Sequence, residues 1–283
     1  MKRGKKLVLI ALTTLLLALF SACDEADLHR MLQIYDVPEY ITIQGQQFST
    51  ALEELDLGPM ELTDQDILPL RYMFNLTTLR LQGDGQAIAS ITDISPLAGL
   101  FNLTELEIRF NSITDISPLA GLLNLTVLNL NSNQITDIRP LAGLNGLKEL
   151  DLRLNSISDL SPLAGLTDLE VLILNGNHIT DIAPLANLTN LKELRLWANG
   201  IRDISPLAGV GSLTALCLSN NYITDIAPLA GLTNLNELRL GWNLVADVTP
   251  LAALTDLRDL RLYNNLVTDW SPLAHVENVQ GRP

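Results

Sequence analysis

A fixed 22-residue period constrains the fold of this chain more than any other feature. Eight Asn residues recur at that spacing, and no residue is inserted or lost between positions 103 and 272. They are Asn111, Asn133, Asn155, Asn177, Asn199, Asn221, Asn243 and Asn265. Tandem units of this length cannot each bury a hydrophobic face alone, so they stack on their neighbours and form a solenoid. We therefore expect one elongated array whose function lies on an extended surface and not in a catalytic pocket.

Around each Asn the same frame recurs, L-x-x-L-x-L-x-x-N-x-I-x-D-I-x-P-L-A-x-L-x-x, and this spacing of Leu and Asn is that of leucine-rich repeats. In the first regular unit, Leu106 and Ile108 are alternate strand residues that point inward, so Glu107 between them points outward. Asn111 is expected to hydrogen-bond backbone groups where the chain leaves the strand. The frame predicts an α/β fold, a right-handed leucine-rich-repeat solenoid (horseshoe). Its parallel β-sheet would line the concave face and its short helical turns the convex face.

Departures from the frame suggest six segments along the chain. The unit at 41–75 carries Met60 at the Asn position, and the next unit is lengthened by a polar insertion between Gln82 and Ser90. The expected segments are a lipoprotein signal peptide (1–22), a tether (23–40), an N-terminal cap with a degenerate repeat (41–75), an irregular repeat with an insertion (76–102), eight 22-residue repeats (103–278) and a C-terminal end (279–283).

The N-terminus has the pattern of a secretory signal. Four bases precede an apolar run from Leu7 to Phe20, which is too short for a comfortable membrane span but suits the core of a signal peptide. Small residues then lead to Cys23, as in a bacterial lipobox, although Phe20 stands where Leu is usual. This predicts lipid attachment at Cys23 and a membrane anchor in the cell envelope. The alternative is ordinary signal cleavage nearby and secretion.

Composition argues against several functional classes. A formal charge of −14 repels phosphate backbones, so we expect no nucleic acid partner. The three histidines never share a repeat or lie in adjacent repeats, and no phosphate-binding Gly loop or zinc-type spacing occurs. We therefore expect no enzymatic activity, no cofactor and no metal. Cys217 has no plausible intramolecular partner, so no disulfide framework is expected.

An Asp residue recurs in each unit, four positions after the Asn or its equivalent. The column comprises Asp93, Asp115, Asp137, Asp159, Asp181, Asp203, Asp225, Asp247 and Asp269. We interpret each Asp as the cap of its own helical turn. A calcium ladder is the alternative, but the frame supplies only one carboxylate per unit, whereas calcium needs several oxygens.

The outward strand positions are not fixed by the demands of the core, so they carry the functional signal. Trp, Tyr and Arg are enriched among interface hot spots, and they accumulate at outward positions of the later repeats. The candidate partner-binding residues are Trp197, Trp242, Tyr263, Arg195, Arg239, Arg261, Ile173 and, as a weaker site nearer the N-terminus, Phe110. The alternative is a surface ladder of acid–Arg pairs that satisfy one another and bind nothing.

The repeat N-L-T-E-L-E-I-R-F-N-S-I-T-D-I-S-P-L-A-G-L and its successors resemble those of the internalin family over residues 52 to 279. The resemblance implies a bacterial surface or secreted protein that binds a protein ligand, possibly a host or envelope protein, through its concave sheet face. We expect a lipoprotein form without the family's immunoglobulin-like domain and wall anchor. The alternative function is an envelope scaffold or a glycan-binding module that stacks its exposed aromatic residues on sugar rings.

Overall fold

The computed structural model describes residues 37–58, 60–83 and 90–282. The expected signal peptide, Cys23, most of the tether and the centre of the insertion lie outside the described residues. No helix within the described ranges is both long and apolar enough to cross a membrane.

Eleven short strands form one parallel sheet in chain order, which confirms the predicted leucine-rich-repeat solenoid. Corresponding residues of successive repeats pair directly, as when Leu216 lies opposite Leu194 and Leu238. The strands are β3 (Glu54–Asp56), β4 (Thr78–Arg80), β5 (Glu105–Glu107), β6 (Val127–Asn129), β7 (Glu149–Asp151), β8 (Val171–Ile173), β9 (Glu193–Arg195), β10 (Ala215–Cys217), β11 (Glu237–Arg239), β12 (Asp259–Arg261) and β13 (Asn278–Gln280). β13 spans the boundary drawn at 278/279 between the repeats and the C-terminal end.

An antiparallel hairpin precedes the array. It consists of β1 (Tyr40–Ile43) and β2 (Gln46–Ser49), and it turns through Gln44 and Gly45 at positive φ. A single helical turn, α1 (Asp64–Ile67), then begins with a capping box. The Thr63 side chain accepts from the Asp66 N–H, and the Asp66 side chain accepts from the Thr63 N–H. Apart from Tyr40, the hairpin and α1 belong to the segment 41–75, which we propose as the N-terminal cap.

Each repeat returns to the sheet through a short 3₁₀ turn on the other side of the array. Their bounds are Leu68–Tyr72, Ser95–Leu97, Ser117–Leu119, Arg139–Leu141, Ser161–Leu163, Ala183–Leu185, Ser205–Gly209, Ala227–Gly231, Thr249–Ala253 and Ser271–Leu273. In all nine turns of the Asp column, the Asp Oδ1 accepts a hydrogen bond from the N–H two residues later, at 2.8–2.9 Å. Each Asp therefore bonds the first N–H of its turn, as a capping residue would, but the expected position was wrong by one residue, because the residue after the Asp occupies the N-cap.

The interior is a continuous aliphatic column. The inward Leu and Ile positions of every regular repeat but the last are essentially inaccessible to solvent, as Leu172, Leu174 and Ile179 illustrate. Burying a side chain of this size contributes about 1.5–3 kcal/mol. Because one unit's apolar face is covered only by its neighbours, the repeats depend on each other for stability.

The Asn residues bond backbone groups where the chain leaves the strand, as predicted, and they also form a ladder that joins consecutive repeats. Asn177 Oδ1 accepts from the Ile157 N–H at 3.0 Å, and its Nδ2 donates to the carbonyl oxygens of Leu152 and Leu174, both at 3.0 Å. Asn177 is buried. Each Asn thus satisfies backbone groups that would otherwise be buried without partners.

Candidate protein-interaction surface

The outward side chains of one strand form a row on the concave face, and from β5 to β11 two types of row alternate. One type is charged, as in Glu193 and Arg195 of β9, and the other is small or uncharged, as in Ala215 and Cys217 of β10. Charged rows fall on β5, β7, β9 and β11, and neutral rows on β6, β8 and β10. Adjacent strands lie about 4.8 Å apart, so this alternation keeps like charges about 10 Å apart. Since like charges directly opposite each other destabilise a sheet, the pattern has a structural purpose.

Within each charged row the acid and the Arg pair along the strand. Arg195 Nε contacts Glu193, Arg239 Nε lies 2.6 Å from Glu237 Oε1, and Arg261 lies 3.3 Å from Asp259. Burial works against the charged form of Arg195, but the hydrogen bond to Glu193 and the negative charges of Glu193 and Glu237 together outweigh it, so the pKa of Arg195 is raised. The guanidinium groups are held in place by their acids, and surface pairs of this kind contribute little stability individually.

The alternation breaks at β11 and β12, where two charged rows lie side by side. Arg239 is directly opposite Arg261, and Glu237 is directly opposite Asp259. Like-charge neighbours at this spacing cost stability. The fold does not require like charges opposite each other on β11 and β12, because the rows from β5 to β11 avoid such pairs.

An aromatic pair lies beside these two rows. The rings of Trp242 and Tyr263 meet edge to face, with centroids 4.5 Å apart. Gly241 lies beneath the Tyr263 ring, and a Cβ at Gly241 would lie 2.4 Å from Tyr263 Cε2. Trp242 adopts a φ of 53° and is 51% exposed, so a large apolar side chain is presented to solvent from a left-handed backbone position.

The left-handed position recurs just before each ladder Asn and forms a fourth outward column beside the three of the strand. Its members are Phe110, Ser132, Leu154, Gly176, Ala198, Asn220, Trp242 and Asn264. This column explains why Trp242 and Phe110 do not fall in the strand columns that the sequence pattern defines.

The structure brings most of the sequence-derived candidates onto five consecutive strands, β8 to β12. Ile173 is opposite Arg195, and Arg239 is opposite Arg261. Trp197, which is 41% exposed, lies two strands from Gly241. Phe110 follows β5 and lies several strands from these residues, so it does not share their surface. A direct contact is observed only for the Trp242–Tyr263 pair among these aromatic residues.

A second apolar feature escaped the sequence analysis. Tyr222, Leu244 and Leu266 immediately follow three successive ladder Asn residues and are 51%, 43% and 58% exposed. Their backbone N–H groups bond to the preceding repeats at equivalent positions, so the three side chains lie in one column. The signal was available, because the same position holds Ser, Gln, Ser, His and Gly in the five preceding repeats. We define the C-terminal patch as Trp197, Trp242, Tyr263, Arg195, Arg239 and Arg261, with this apolar column along one edge.

Comparison with known proteins agrees with this geometry. The family described as leucine-rich repeats (2 copies) matches residues 101–143, 123–165, 145–185, 167–209 and 212–253, more than half of the chain. No curated protein sequence matches the chain significantly.

Three solved structures from Listeria monocytogenes are similar. An internalin (inlF) is 34% identical with a TM-score of 0.69, and the match covers 84% of this chain and 77% of that one. Internalin C2 is 40% identical with a TM-score of 0.63, covering 65% of this chain and 81% of that one. The functional domain of InlJ is 26% identical with a TM-score of 0.68, covering 83% of this chain and 50% of that one. The chain therefore belongs to the leucine-rich repeat family and is internalin-like within it.

Proposed function

We propose that this protein binds another protein through the C-terminal patch of its concave face, without catalysing a reaction. Leucine-rich repeat proteins of this kind are typically protein-binding scaffolds. The observation that carries the proposal is the adjacency of the Arg239 and Arg261 rows beside the exposed Trp242–Tyr263 pair. These features cost stability or expose apolar surface, and Arg, Trp and Tyr are the residues that most often dominate binding energy.

A stacked array suits this role because its surface is already formed before the partner arrives. The backbone of each strand is fixed on both sides by its neighbours, so little conformational entropy is lost on binding. Ion pairs within the strands also hold the Arg side chains in one orientation, and this further reduces the ordering cost.

We further propose that the protein is held at the bacterial cell envelope by lipid attached to Cys23. The proposed segments are a signal peptide at 1–22, a tether at 23–40, the cap at 41–75, the irregular repeat at 76–102 and the regular array at 103–278, followed by the end at 279–283. Anchoring at Cys23 would present the array to an envelope or host protein. Replacing Cys23 with Ser should release the protein into the medium, and unchanged retention in the membrane fraction would rule out this anchor.

Affinity capture from intact cells with the purified chain tests the binding proposal. Trp242→Ala and Arg239→Glu should each abolish capture of a defined protein. Arg139→Glu is the matched charge reversal on the convex turns, where Arg139 is exposed, and it should leave capture unchanged. Equal capture by all variants would refute binding through the concave face.

Glycan binding is the second candidate, because exposed aromatic rings such as Trp197 and Trp242 can stack on sugars. A pull-down with purified peptidoglycan and cell-surface glycans distinguishes the two. Retention on glycan that is lost in Trp197→Ala and Trp242→Ala, together with indifference to Arg239→Glu, would favour this alternative.

A further inference from the structure

The neutral row on β10 differs from the other two neutral rows in the size of its side chains. Its outward residues are Ala215, Cys217 and Ser219, whereas the rows on β6 and β8 carry Val, Asn and Ile. The strands on either side of β10, β9 and β11, carry charged rows of the sequence Glu–x–Arg. The concave face therefore has a shallow slot, about two strand spacings wide, with β10 as its floor.

Two Arg side chains line this slot at the same level. Cys217 is directly opposite Arg195 on one side and Arg239 on the other. Burial raises the pKa of the Cys217 thiol, and the Ser219 backbone N–H and the positive charges of Arg239 and Arg195 oppose this rise. Arg195 contacts Glu193 through its Nε, and Arg239 contacts Glu237 in the same way. No residue in the described part of the chain accepts a hydrogen bond from the Nη groups of these two Arg side chains.

The floor also holds a polar group without a partner. Ser219 is only 3% exposed although it belongs to an outward column. Within the described ranges, no group meets Ser219 Oγ in hydrogen-bonding geometry. An unsatisfied buried hydroxyl is costly to stability, so the fold does not explain a Ser at this position.

We propose that this slot accepts a carboxylate side chain, Asp or Glu, from an exposed segment of the protein partner. The inference rests on the proposed function and names the chemistry at the centre of that surface. The carboxylate lies above Cys217, between the side chains of Arg195 and Arg239 on the two flanking strands, and accepts hydrogen bonds from their Nη groups. Glu193 and Glu237 lie opposite Ala215, one outward position away from Cys217. The positive charges of the two Arg residues are therefore nearer to the bound carboxylate than these negative charges are. Trp197 and Trp242, at the other end of the two walls, cover the apolar neighbours of the acidic residue.

Cys217 allows the charge preference of the slot to be measured without knowing the partner. The full-length chain carrying Cys23→Ser is treated with anionic 2-sulfonatoethyl methanethiosulfonate or with the cationic 2-(trimethylammonium)ethyl reagent. In either case the thiolate displaces methanesulfinate and forms a mixed disulfide. Rates are divided by those of the same reagents with free 2-mercaptoethanol.

The normalised rate should be at least about threefold higher for the anionic reagent, because two cations flank the thiol. Replacing Arg195 and Arg239 together with Gln should remove this preference. Arg109→Gln, a matched change on the distant β5 row, should leave it intact. Equal rates, a preference for the cation or failure of both reagents to reach the thiol would each overturn the inference.

Protection experiments identify the anion. Acetyl-Gly-Asp-Gly-amide should slow labelling of Cys217, whereas the Asn counterpart should not. Protection by inorganic phosphate as strong as that by the Asp peptide would show a general anion site and overturn the assignment to a carboxylate side chain.

Capture from cells separates this inference from the proposed function. Loss of the captured protein in Arg195→Gln/Arg239→Gln supports the slot. Capture that survives this double change but is lost in Trp242→Ala overturns only the slot. Capture that no concave substitution affects overturns the proposed function itself.

Discussion

Among single residues, the ladder Asn and Gly241 occupy positions that no other residue type suits equally well. The ladder Asn supplies one acceptor and two donor hydrogens in a fixed plane, which match one N–H and one carbonyl group of the preceding repeat and one carbonyl group of its own repeat. Gly241 provides room for the Tyr263 ring above its backbone. The ladder was predictable from the sequence because it repeats. The role of Gly241 was not, because it depends on the side chain of the next repeat.

Replacing Asn177 with Ala should destabilise the protein by about 2–5 kcal/mol, because one N–H and two carbonyl groups would be left buried without partners. Urea unfolding measures the change. The matched control is Asn190→Ala, since Asn190 is exposed and makes a single hydrogen bond to the Thr167 carbonyl. A loss at Asn177 no larger than at Asn190 would contradict the structural role of the ladder.

Gly241→Ala should displace the Tyr263 ring and disturb its contact with Trp242, since the new Cβ would lie 2.4–2.8 Å from three ring atoms. The near-ultraviolet circular dichroism of the aromatic pair should change, and partner capture should weaken. Gly209→Ala is the control, because no atom lies within 4 Å of a Cβ built there. Identical spectra for the two variants would show that the Tyr263 ring is not confined by Gly241.

At the scale of elements, the strand–turn unit follows from spacing that the sequence displays openly. An Asp two residues before the first residue of the turn, with Pro as the second residue of the turn, specifies a short capped turn, and each repeat of the Asp column contains one. The N-terminal hairpin was only half predictable, because β1 alternates clearly whereas Gln46–Ser49 has no comparable pattern. The strand pattern did not predict the column of Tyr222, Leu244 and Leu266, because these residues follow the ladder Asn and lie outside the strand.

The Asp caps should make stability depend on pH in the acid range. The Arg139 side chain, with the Arg139 N–H, lowers the pKa of Asp137 to about 2, below the unfolded value of about 3.9. A depressed folded pKa contributes stability above the unfolded pKa, and this contribution is lost as the pH falls from about 4 toward 2. Asp137→Asn keeps an acceptor for the turn but cannot titrate.

Chemical denaturation at pH 5 and at pH 2.5 checks this expectation. The wild-type chain should lose more stability between the two pH values than Asp137→Asn. Asp203→Asn provides a second case, because the Ser205 N–H and hydroxyl lower the pKa of Asp203. Equal losses in the wild type and both variants would contradict the linkage.

At the scale of the whole molecule, two periods are superimposed. The core repeats every 22 residues, whereas the charge on the concave face repeats every two units from β5 to β11. The first period was enough to predict the solenoid. The second was visible in the same sequence, but its significance depends on the register that places each row beside the next. Which residues of the patch touch could not be predicted, because side-chain contacts across strands depend on rotamers and on the left-handed column.

Two deletions test the second period. Removing residues 125–146 would place the β5 row of Glu105, Glu107 and Arg109 beside the like-charged β7 row. Removing residues 125–168 would instead place it beside the neutral β8 row. Added salt screens repulsion between close surface charges, so 0.5 M sodium chloride should raise the melting temperature of the shorter deletion by about 2–4 °C more than that of the longer one. Equal salt responses would show that the alternation has no electrostatic role.

Photocrosslinking on intact cells tests whether the partner binds at the C-terminal end of the concave face. A benzoylphenylalanine is placed at Trp197 or Tyr263 on that face, and at Leu123, which is 57% exposed, between the turn and the next strand. If the partner binds there, a single protein adduct should form from the variants at Trp197 and Tyr263, and none should form from the variant at Leu123. Adducts that form only at Leu123, or equally at all three positions, would contradict it.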